Sequence, residues 1–199
     1  IYTSAINLKT QHFYDKRNLV PFGEFQPFDD LLSSFNEFFN IPNSQLDRGS
    51  RNQKKADWSA LVCWELVFND TFTNRVKGTN YIIHMSNDSW YGDGMAEQHL
   101  KHARMRAVES NKWVVRSTVD GISQIISPRP EESSEKLNKK SKGSLTHTIT
   151  LNNTDTFYVK HGDLPLLIVS FLFLVLGVIN RRYENCLLYT SPSPRDFVR

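Results

Sequence analysis

The chain has 199 residues, a length that allows one domain with a substantial core and little else. Its formal net charge of +3 at pH 7 is too small to indicate nucleic-acid binding. The apolar and charged fractions are ordinary for a globular protein, and the 13 phenylalanines fit either a large core or a surface that contacts lipid.

The first half of the chain alternates between short apolar runs and polar segments, which predicts an α/β fold. Residues 1–8 predict a short strand. The apolar spacing of residues 28–39 predicts a helix, and the polar, basic residues 45–57 predict a loop. A strand over residues 60–63 is followed by a helix that begins within residues 65–72.

The second half continues the same alternation. It predicts strands and one long helix, namely strands at 81–85, 113–117 and 122–126 and a helix at 95–111. The last two of these strands are joined by a hairpin turn. Residues 128–142 are rich in Pro, Ser, Glu and Lys, which indicates a flexible surface loop. Residues 145–151 alternate between apolar and polar side chains, which predicts an edge strand.

An uncharged apolar run occupies residues 164–179 and is followed by Arg181 and Arg182. The run is slightly shorter than the roughly 20 residues that cross a bilayer, so a buried core helix is the alternative. Because the run is apolar on every face, a membrane span is favoured. The arginine pair then places the C-terminal end in the cytoplasm and the preceding domain on the outer face of the membrane.

The two ends of the chain indicate a fragment. The first residues resemble the interior of a longer protein entered within a strand, without the basic leader of a signal peptide. Residues 186–199 resemble translated adapter sequence, or else a disordered tail. We therefore predict an N-terminally truncated domain over residues 1–163, a transmembrane helix over 164–180 and a cytoplasmic tail over 181–199.

Cys63 is the candidate nucleophile. It follows an apolar run and precedes Trp64 and Glu65, at a predicted corner between a strand and a helix. The alternative is a small buried hydrophobe, which is what most single cysteines are. In an oxidising compartment outside the inner membrane, a thiol without a disulfide partner indicates that it is kept for its reactivity.

Five motifs occur in a fixed order along residues 1–182. They are Lys16 with the Leu-Val-Pro-Phe-Gly-Glu string at 19–24, Cys63-Trp64-Glu65, Asn87-Asp88-Ser89-Trp90, the helix from Gln98-His99 through Arg104, Arg106 and Glu109, and Gly162-Asp163-Leu164-Pro165. In these motifs the chain resembles the carbon–nitrogen hydrolase (nitrilase) superfamily and, within it, the bacterial apolipoprotein N-acyltransferases. The resemblance implies an αββα sandwich followed by one C-terminal transmembrane helix.

The resemblance also implies a Glu-Lys-Cys triad. Cys63 would be the nucleophile, and the Lys16 ammonium would favour its thiolate and stabilise an oxyanion. Glu24 and Glu65 would be supporting acids, and the backbone N–H of Trp64 a second oxyanion donor. The general-base glutamate of the family would lie upstream of Ile1, so we expect the chain as given to be inactive. Candidate substrate-lining residues are Asn87, Trp90 and Tyr91.

The implied reaction transfers an acyl chain from a phospholipid, through a Cys63 thioester, to the N-terminal amine of the S-diacylglyceryl cysteine of an apolipoprotein. The implied location is the bacterial inner membrane, with the catalytic domain in the periplasm. No cofactor or metal is expected, and a metal site formed by His99, His102 and Cys63 is disfavoured. Two alternatives stay open: a soluble amidase or nitrilase that uses the same triad, and a membrane-anchored binding module in which Cys63 is structural.

Overall fold

The computed structural model describes residues 1–25, 45–89 and 92–190. The strands in these ranges are β1 (Ser4–Asn7), β2 (His12–Asp15), β3 (Trp58–Val62), β4 (Tyr81–Asn87), β5 (Val114–Val119) and β6 (Gln124–Ile126). The α-helices are α1 (Asn69–Val76), α2 (Asp93–Ser110), α3 (Phe157–His161) and α4 (Leu164–Thr190). Short 3-10 helices cover Cys63–Val67 and Pro130–Glu132.

The main sheet has four strands in the order β3-β4-β5-β6. Strands β3, β4 and β5 are parallel, and β6 returns antiparallel to β5. The parallel register pairs Val62 with Met85 and Asn87 with Val119, so the carboxyl ends of the three parallel strands meet at one edge. In open α/β sheets this edge is where ligand sites are usually found.

The two faces of this sheet have different coverings. On one face, α1 and α2 bury an apolar cluster that includes Leu61, Phe72, Ile82, Leu100 and Val114. On the other face, side chains of the antiparallel β1–β2 hairpin pack against the opposite side chains of β3 and β4, and Ala5, Tyr14, Trp58, Ala60 and Val62 form this second cluster. Alternation along each strand therefore supplies both clusters, as the pleat of a sheet requires.

This mixed α/β architecture confirms the coarse fold prediction, including the three strands, the long helix and the hairpin of the second half. Residues 45–57 contain no helix or strand, as predicted. The helix predicted to begin at 65–72 is divided into a 3-10 turn and α1, with extended backbone at Phe68 between them. The predicted helix at 28–39 lies outside the described residues.

The edge strand predicted for residues 145–151 is wrong. The structure assigns no strand there, and β6 instead forms the end of the four-stranded order. Leu145 and Ile149 are only half-buried, and Leu151 is exposed, so the alternating pattern does not face an apolar layer. Alternation predicts a strand only where a neighbouring strand supplies ladder hydrogen bonds. Nearby, an isolated bridge pairs Ser123 with Leu137 instead.

Contacts divide the chain into two compact units, Ile1–Lys160 and His161–Arg199. The described part of the second unit is dominated by α4. Its segment Leu164–Arg181 has a mean hydropathy of 2.2, and none of it is buried. By length and composition it meets the requirement for a membrane-crossing helix.

Candidate active site

A cavity of about 750 Å³ opens at the carboxyl edge of the sheet, between the ends of β3, β4 and β5 and the loop after β2. Its lining brings together four residues singled out in the sequence: Lys16, Glu24, Cys63 and Asn87. They are up to 71 positions apart in the chain (87 − 16), and the parallel strand order places them around one space.

Cys63 occupies a constrained corner between β3 and the first 3-10 helix. Its φ of 55° lies in the left-handed region, which non-glycine residues seldom adopt. Such a conformation costs about 1–3 kcal/mol and persists only where surrounding contacts hold it. One of these contacts is a hydrogen bond at 2.9 Å between His84 Nε2 and the Cys63 carbonyl oxygen. The thiol is free and half-buried.

Lys16 and Glu24 form a close ion pair in the cavity wall. The Lys16 ammonium donates to both carboxylate oxygens of Glu24 at 2.7 Å. Lys16 is 1% exposed and Glu24 is 22% exposed, so the pair is sealed on the lysine side and reached by solvent on the glutamate side. The Val20 N–H also donates to Glu24, at 2.8 Å, which fixes the Val-Pro-Phe-Gly-Glu turn around the ammonium. The ion pair and Cys63 line the same cavity.

Glu65 does not line this cavity. Its carboxylate is fully buried, and Oε1 accepts hydrogen bonds from the Tyr14 hydroxyl and the backbone N–H groups of Arg17 and Asn18 at 2.8–3.0 Å. Its Oε2 accepts from the Val62 N–H at 2.9 Å. Glu65 therefore ties the loop that carries Lys16 to the turn that carries Cys63. Burial, with this carboxylate next to it, raises the pKa of Tyr14.

Trp64 also turns away from the cavity of Cys63. Its indole N–H donates to the Asn18 carbonyl oxygen at 2.6 Å, and its ring packs edge-on against Phe68 at 4.9 Å between centroids. Asn18 is fixed a second time by the Thr71 hydroxyl, which donates to its side-chain oxygen at 2.6 Å. Trp64 thus belongs to the wall of a second, neighbouring cavity.

Of the three candidate substrate-lining residues, Asn87 lies in the lining of the first cavity. Its side-chain oxygen accepts hydrogen bonds from the backbone and hydroxyl of Ser89, at 3.1 and 2.6 Å. Trp90 and Tyr91 lie outside the described residues.

Sequence reasoning missed a buried polar network behind Cys63. Arg116 on β5 donates to Nδ1 of His84 at 2.6 Å and to Oδ2 of Asp88 at 2.8 Å. The other oxygen of Asp88 is bonded to the Ser86 hydroxyl at 2.6 Å and to His99 Nδ1 at 2.8 Å. Gly121 makes room for this carboxylate, because a Cβ there would collide with Asp88 Oδ2.

The protonation state of the His84 ring follows from its two partners. A carbonyl oxygen only accepts, so Nε2 carries the hydrogen that is donated to Cys63 and Nδ1 accepts from Arg116. Burial, together with the nearby Arg116 charge, lowers the pKa of His84 to about 3, which keeps the ring neutral. Burial alone would raise the pKa of Asp88, but hydrogen bonds from His99 and Ser86 and the Arg116 charge lower it.

One signal in the sequence could have indicated this network. His84 and Ser86 interrupt the apolar run of β4 at alternate positions, and Arg116 does the same in β5. All three are buried at 8% exposure or less. Polar side chains at inward positions of adjacent parallel strands must find partners with one another.

A second cluster, which includes Arg106 and Glu109 of the helical motif but whose role the sequence did not indicate, supports the turn after Cys63. Arg106 on α2 donates to the carbonyl oxygens of Leu66 and Val67, at 2.7 and 3.2 Å, and to the side-chain oxygen of Asn69 at 2.6 Å. It also pairs with Glu109 at 2.7 Å. Arg106 therefore satisfies the carbonyls that the 3-10 turn leaves free and joins it to α1.

Within the described ranges, no group of three or more His, Cys, Asp and Glu side chains has the geometry to hold a metal ion. His99, which sequence analysis weighed as a ligand, is bonded to Asp88. The described lining of the first cavity includes the thiol of Cys63, the ammonium of Lys16 and the carboxylate of Glu24.

A thiol on a strained turn, in one cavity with an ammonium–carboxylate pair at the carboxyl edge of an α/β sheet, is the kind of site used for covalent acyl chemistry. The family model for carbon-nitrogen hydrolases matches residues 2–158, and the chain belongs to this family.

Comparison with curated proteins shows which members of this family the chain is similar to. The chain is 36% identical over 174 residues to the apolipoprotein N-acyltransferase of Haemophilus influenzae, covering 84% of this chain and 33% of that protein. It is 34% identical over 186 residues to that of Pasteurella multocida, covering 88% and 36%. These matches confirm the resemblance inferred from the five motifs. The chain spans about a third of the length of these curated relatives.

Proposed function

We propose that this chain is the C-terminal part of a membrane-bound N-acyltransferase that acylates lipoproteins. The observation that carries the proposal is the placement of Cys63 in one cavity with the Lys16–Glu24 pair. The similarity to apolipoprotein N-acyltransferases supplies the reaction class.

In the first step, the Cys63 thiolate attacks the ester carbonyl of a phospholipid. A C–S bond forms, the ester C–O bond breaks, and the departing oxygen takes up the proton that the thiol gave to a general base. The products are an acyl thioester and a lysophospholipid. A thiol is mostly protonated at neutral pH, and the Lys16 ammonium favours the thiolate and then the oxyanion.

In the second step, the N-terminal amine of a diacylglyceryl-cysteine acceptor attacks the thioester. The amide C–N bond forms, the C–S bond breaks, and the surplus proton of the amine returns through the base to Cys63. A thiolate is a good leaving group for an amine nucleophile, so the thioester suits this relay. The general base is assigned to a glutamate that precedes Ile1, as the family resemblance implies.

We further propose that α4 crosses the bacterial inner membrane and that the domain lies on the periplasmic side. Its uncharged apolar segment and the following arginine pair support this orientation. The proposed donor is a lipid and the proposed acceptor is a protein that carries a lipid, so a membrane anchor would bring the cavity to both substrates. In the αββα sandwich of the family, the four-stranded sheet and its helices would be one half.

The proposal is tested with the protein completed to the length of its relatives and reconstituted with phospholipid. The acceptor is a synthetic peptide with an N-terminal diacylglyceryl cysteine, and the same peptide with an acetylated amine is the control. With the wild-type protein, we expect an acyl-sized mass increase on the peptide with the free amine and none on the acetylated peptide. With Cys63→Ala, we expect no increase on either peptide.

Acylation of the free peptide by a folded Cys63→Ala protein would overturn the proposal. Hydrolysis of small amides by the wild type without any peptide acylation would instead favour the amidase alternative.

A further inference from the structure

A second cavity, of about 450 Å³, is lined in part by residues 17–19 of the loop that carries Lys16. Both cavities share Pro21 in their linings. Arg17, Arg48 and Arg51 line the second cavity, which brings three cationic residues to one small space. Because Arg17 follows Lys16 directly in the chain, this arginine pocket is the immediate neighbour of the candidate active site.

The positive charge of the arginine pocket is not neutralised by the described part of the chain. No carboxylate in residues 1–25, 45–89 or 92–190 forms an ion pair with any of the three arginines. Two of the carboxylates close in sequence have other partners, since Asp15 accepts from the Ser4 hydroxyl and Glu24 accepts from Lys16.

The pocket also has a fixed aromatic wall. Trp64 and Phe68 line it as an edge-to-face pair, and the Arg48 guanidinium stands 4.5 Å from the centroid of the Phe25 ring. A guanidinium stacked on an aromatic face retains its in-plane N–H donors for a ligand. Trp64 is the residue after Cys63, so the wall is continuous with the candidate nucleophile.

The loop that carries two of the arginines is anchored at its base. Gly49 donates its N–H to the Lys16 carbonyl oxygen at 2.9 Å, and a Cβ at Gly49 would collide with the Asp15 carbonyl oxygen. The Gln53 side chain bonds both the N–H and the carbonyl of Asp15 at 2.7 Å. This anchoring keeps residues 48–51 beside the Lys16 loop.

We propose that the arginine pocket binds an anionic phosphate group, supplied by the headgroup of the donor lipid or by free phosphate. Arginine forks match phosphate oxygens in geometry and charge, which is why they recur at phosphate sites. A phosphate held there leaves the ester of the same lipid to enter the neighbouring cavity of Cys63. The assignment of the phosphate to a lipid headgroup rests on the proposed function. It adds to that function a pocket that selects the donor lipid.

The test measures acylation of Cys63 by intact mass, using the completed protein and two donors. One donor is a phospholipid in vesicles, and the other is a diacylglycerol with the same acyl chains and no phosphate. The variants are Arg48→Gln, Arg51→Gln and the double variant R48Q/R51Q. Both side chains are exposed, which favours correct folding. Arg129→Gln, an exposed arginine that lines neither cavity, makes the same change of charge as a control.

For each single variant we expect the phospholipid concentration that gives half-maximal acylation to rise about tenfold, since a lost charged hydrogen bond is worth roughly 1.5 kcal/mol or more. In the double variant this concentration should rise further. The concentration of diacylglycerol that gives half-maximal acylation should stay unchanged, and so should the phospholipid concentration for Arg129→Gln. An equal loss with both donors, or no loss in the double variant, overturns the phosphate site. If the variants instead raise only the concentration of acceptor peptide needed for half-maximal transfer, the phosphate site is also overturned and the pocket is assigned to the acceptor.

Inorganic phosphate distinguishes the two sources. If inorganic phosphate competes with the phospholipid donor in the wild type and no longer competes in R48Q/R51Q, a headgroup site is supported. Saturable binding of phosphate that does not affect acylation by phospholipid supports a free-phosphate site. If neither donor acylates wild-type Cys63, the proposed function itself fails. If Cys63 is acylated equally well in the wild type and in the arginine variants, only the phosphate site fails.

Discussion

On the side of Cys63 that faces the cavity, the ion pair of Lys16 and Glu24 remains in partial contact with solvent, whereas the charges behind the Cys63 carbonyl are sealed. Glu24 is 22% exposed, while the side chains of Arg116 and Asp88 are 0% exposed. The cavity side has few fixed partners, so its groups retain the capacity to bind a substrate. On the sealed side the donors and acceptors are hydrogen-bonded to other protein groups, and these contacts hold the strained turn in place.

This difference predicts that the sealed side controls stability and the cavity side controls rate. Arg116→Met should cost about 3–5 kcal/mol of unfolding free energy, because it leaves the buried Asp88 without its cationic partner. Chemical denaturation in detergent measures the loss. The double variant with Asp88→Asn should lose less than the sum of the two single changes. A loss below about 1 kcal/mol for Arg116→Met would contradict the sealed-network account.

On the cavity side, Lys16→Met should slow acylation of Cys63 by about 10²–10³-fold, the usual effect of removing one oxyanion donor. Its unfolding free energy should change less than that of Arg116→Met, since the partner Glu24 still reaches solvent. The measurement is a single-turnover rate with phospholipid vesicles. Lys101→Met, at an exposed position on α2, is the matched control. Normal acylation by Lys16→Met would exclude a role for its charge.

Glu65 belongs with the sealed side, despite its place next to Cys63 and Trp64. Glu65→Gln should cost about 1–3 kcal/mol of unfolding free energy, because an amide nitrogen replaces one of two acceptor oxygens and leaves a buried donor unpaired. Denaturation gives the loss, and single-turnover kinetics should show a smaller fall in rate than Lys16→Met. The reverse order of the two rates would assign Glu65 to the chemistry.

The pH dependence of stability gives a further test of the sealed side. The pKa of His84 is about 3 in the folded protein and about 6.5 when unfolded, so the unfolded chain binds the extra proton between these values. Stability is therefore full above pH 6.5 and falls as the pH drops below it, by up to about 1.4 kcal/mol per pH unit. His84→Gln, which can still donate to Cys63 and accept from Arg116, should flatten the dependence between pH 4.5 and 6.5. An unchanged slope would contradict a buried neutral His84.

The sequence predicted the cavity side better than the sealed side. Lys16, Glu24 and Cys63 belong to short motifs, which indicate them as candidates, and the structure places all three in the lining of one cavity. The alternation of strands and helices predicts a corner at Cys63. Arg116 is bonded to His84 of β4 and to Asp88 in the segment after it, and Asp88 is bonded in turn to His99 of α2. No local pattern in the sequence joins these residues. Adjacency to Cys63 did not reveal that Glu65 points into the protein, because direction at a left-handed turn depends on backbone geometry that sequence does not display.

The same limit explains the wrong strand at residues 145–151. Alternation is present there, but none of the strands in the described part of the chain pairs with this segment, and pairing is a property of the fold rather than of the segment. The buried run of β4 was predicted because burial on both faces leaves a signal in composition.

The most direct test of the account is the mass of the peptide that contains Cys63 after the completed protein meets phospholipid vesicles without acceptor. We predict an acyl-sized increment that maps to Cys63, that hydroxylamine removes, and that accumulates much more slowly in Lys16→Met. Acceptor peptide should then discharge it. No increment in a folded wild-type protein, or one that persists in Cys63→Ala, would contradict the assignment of Cys63 as the acyl-carrying nucleophile.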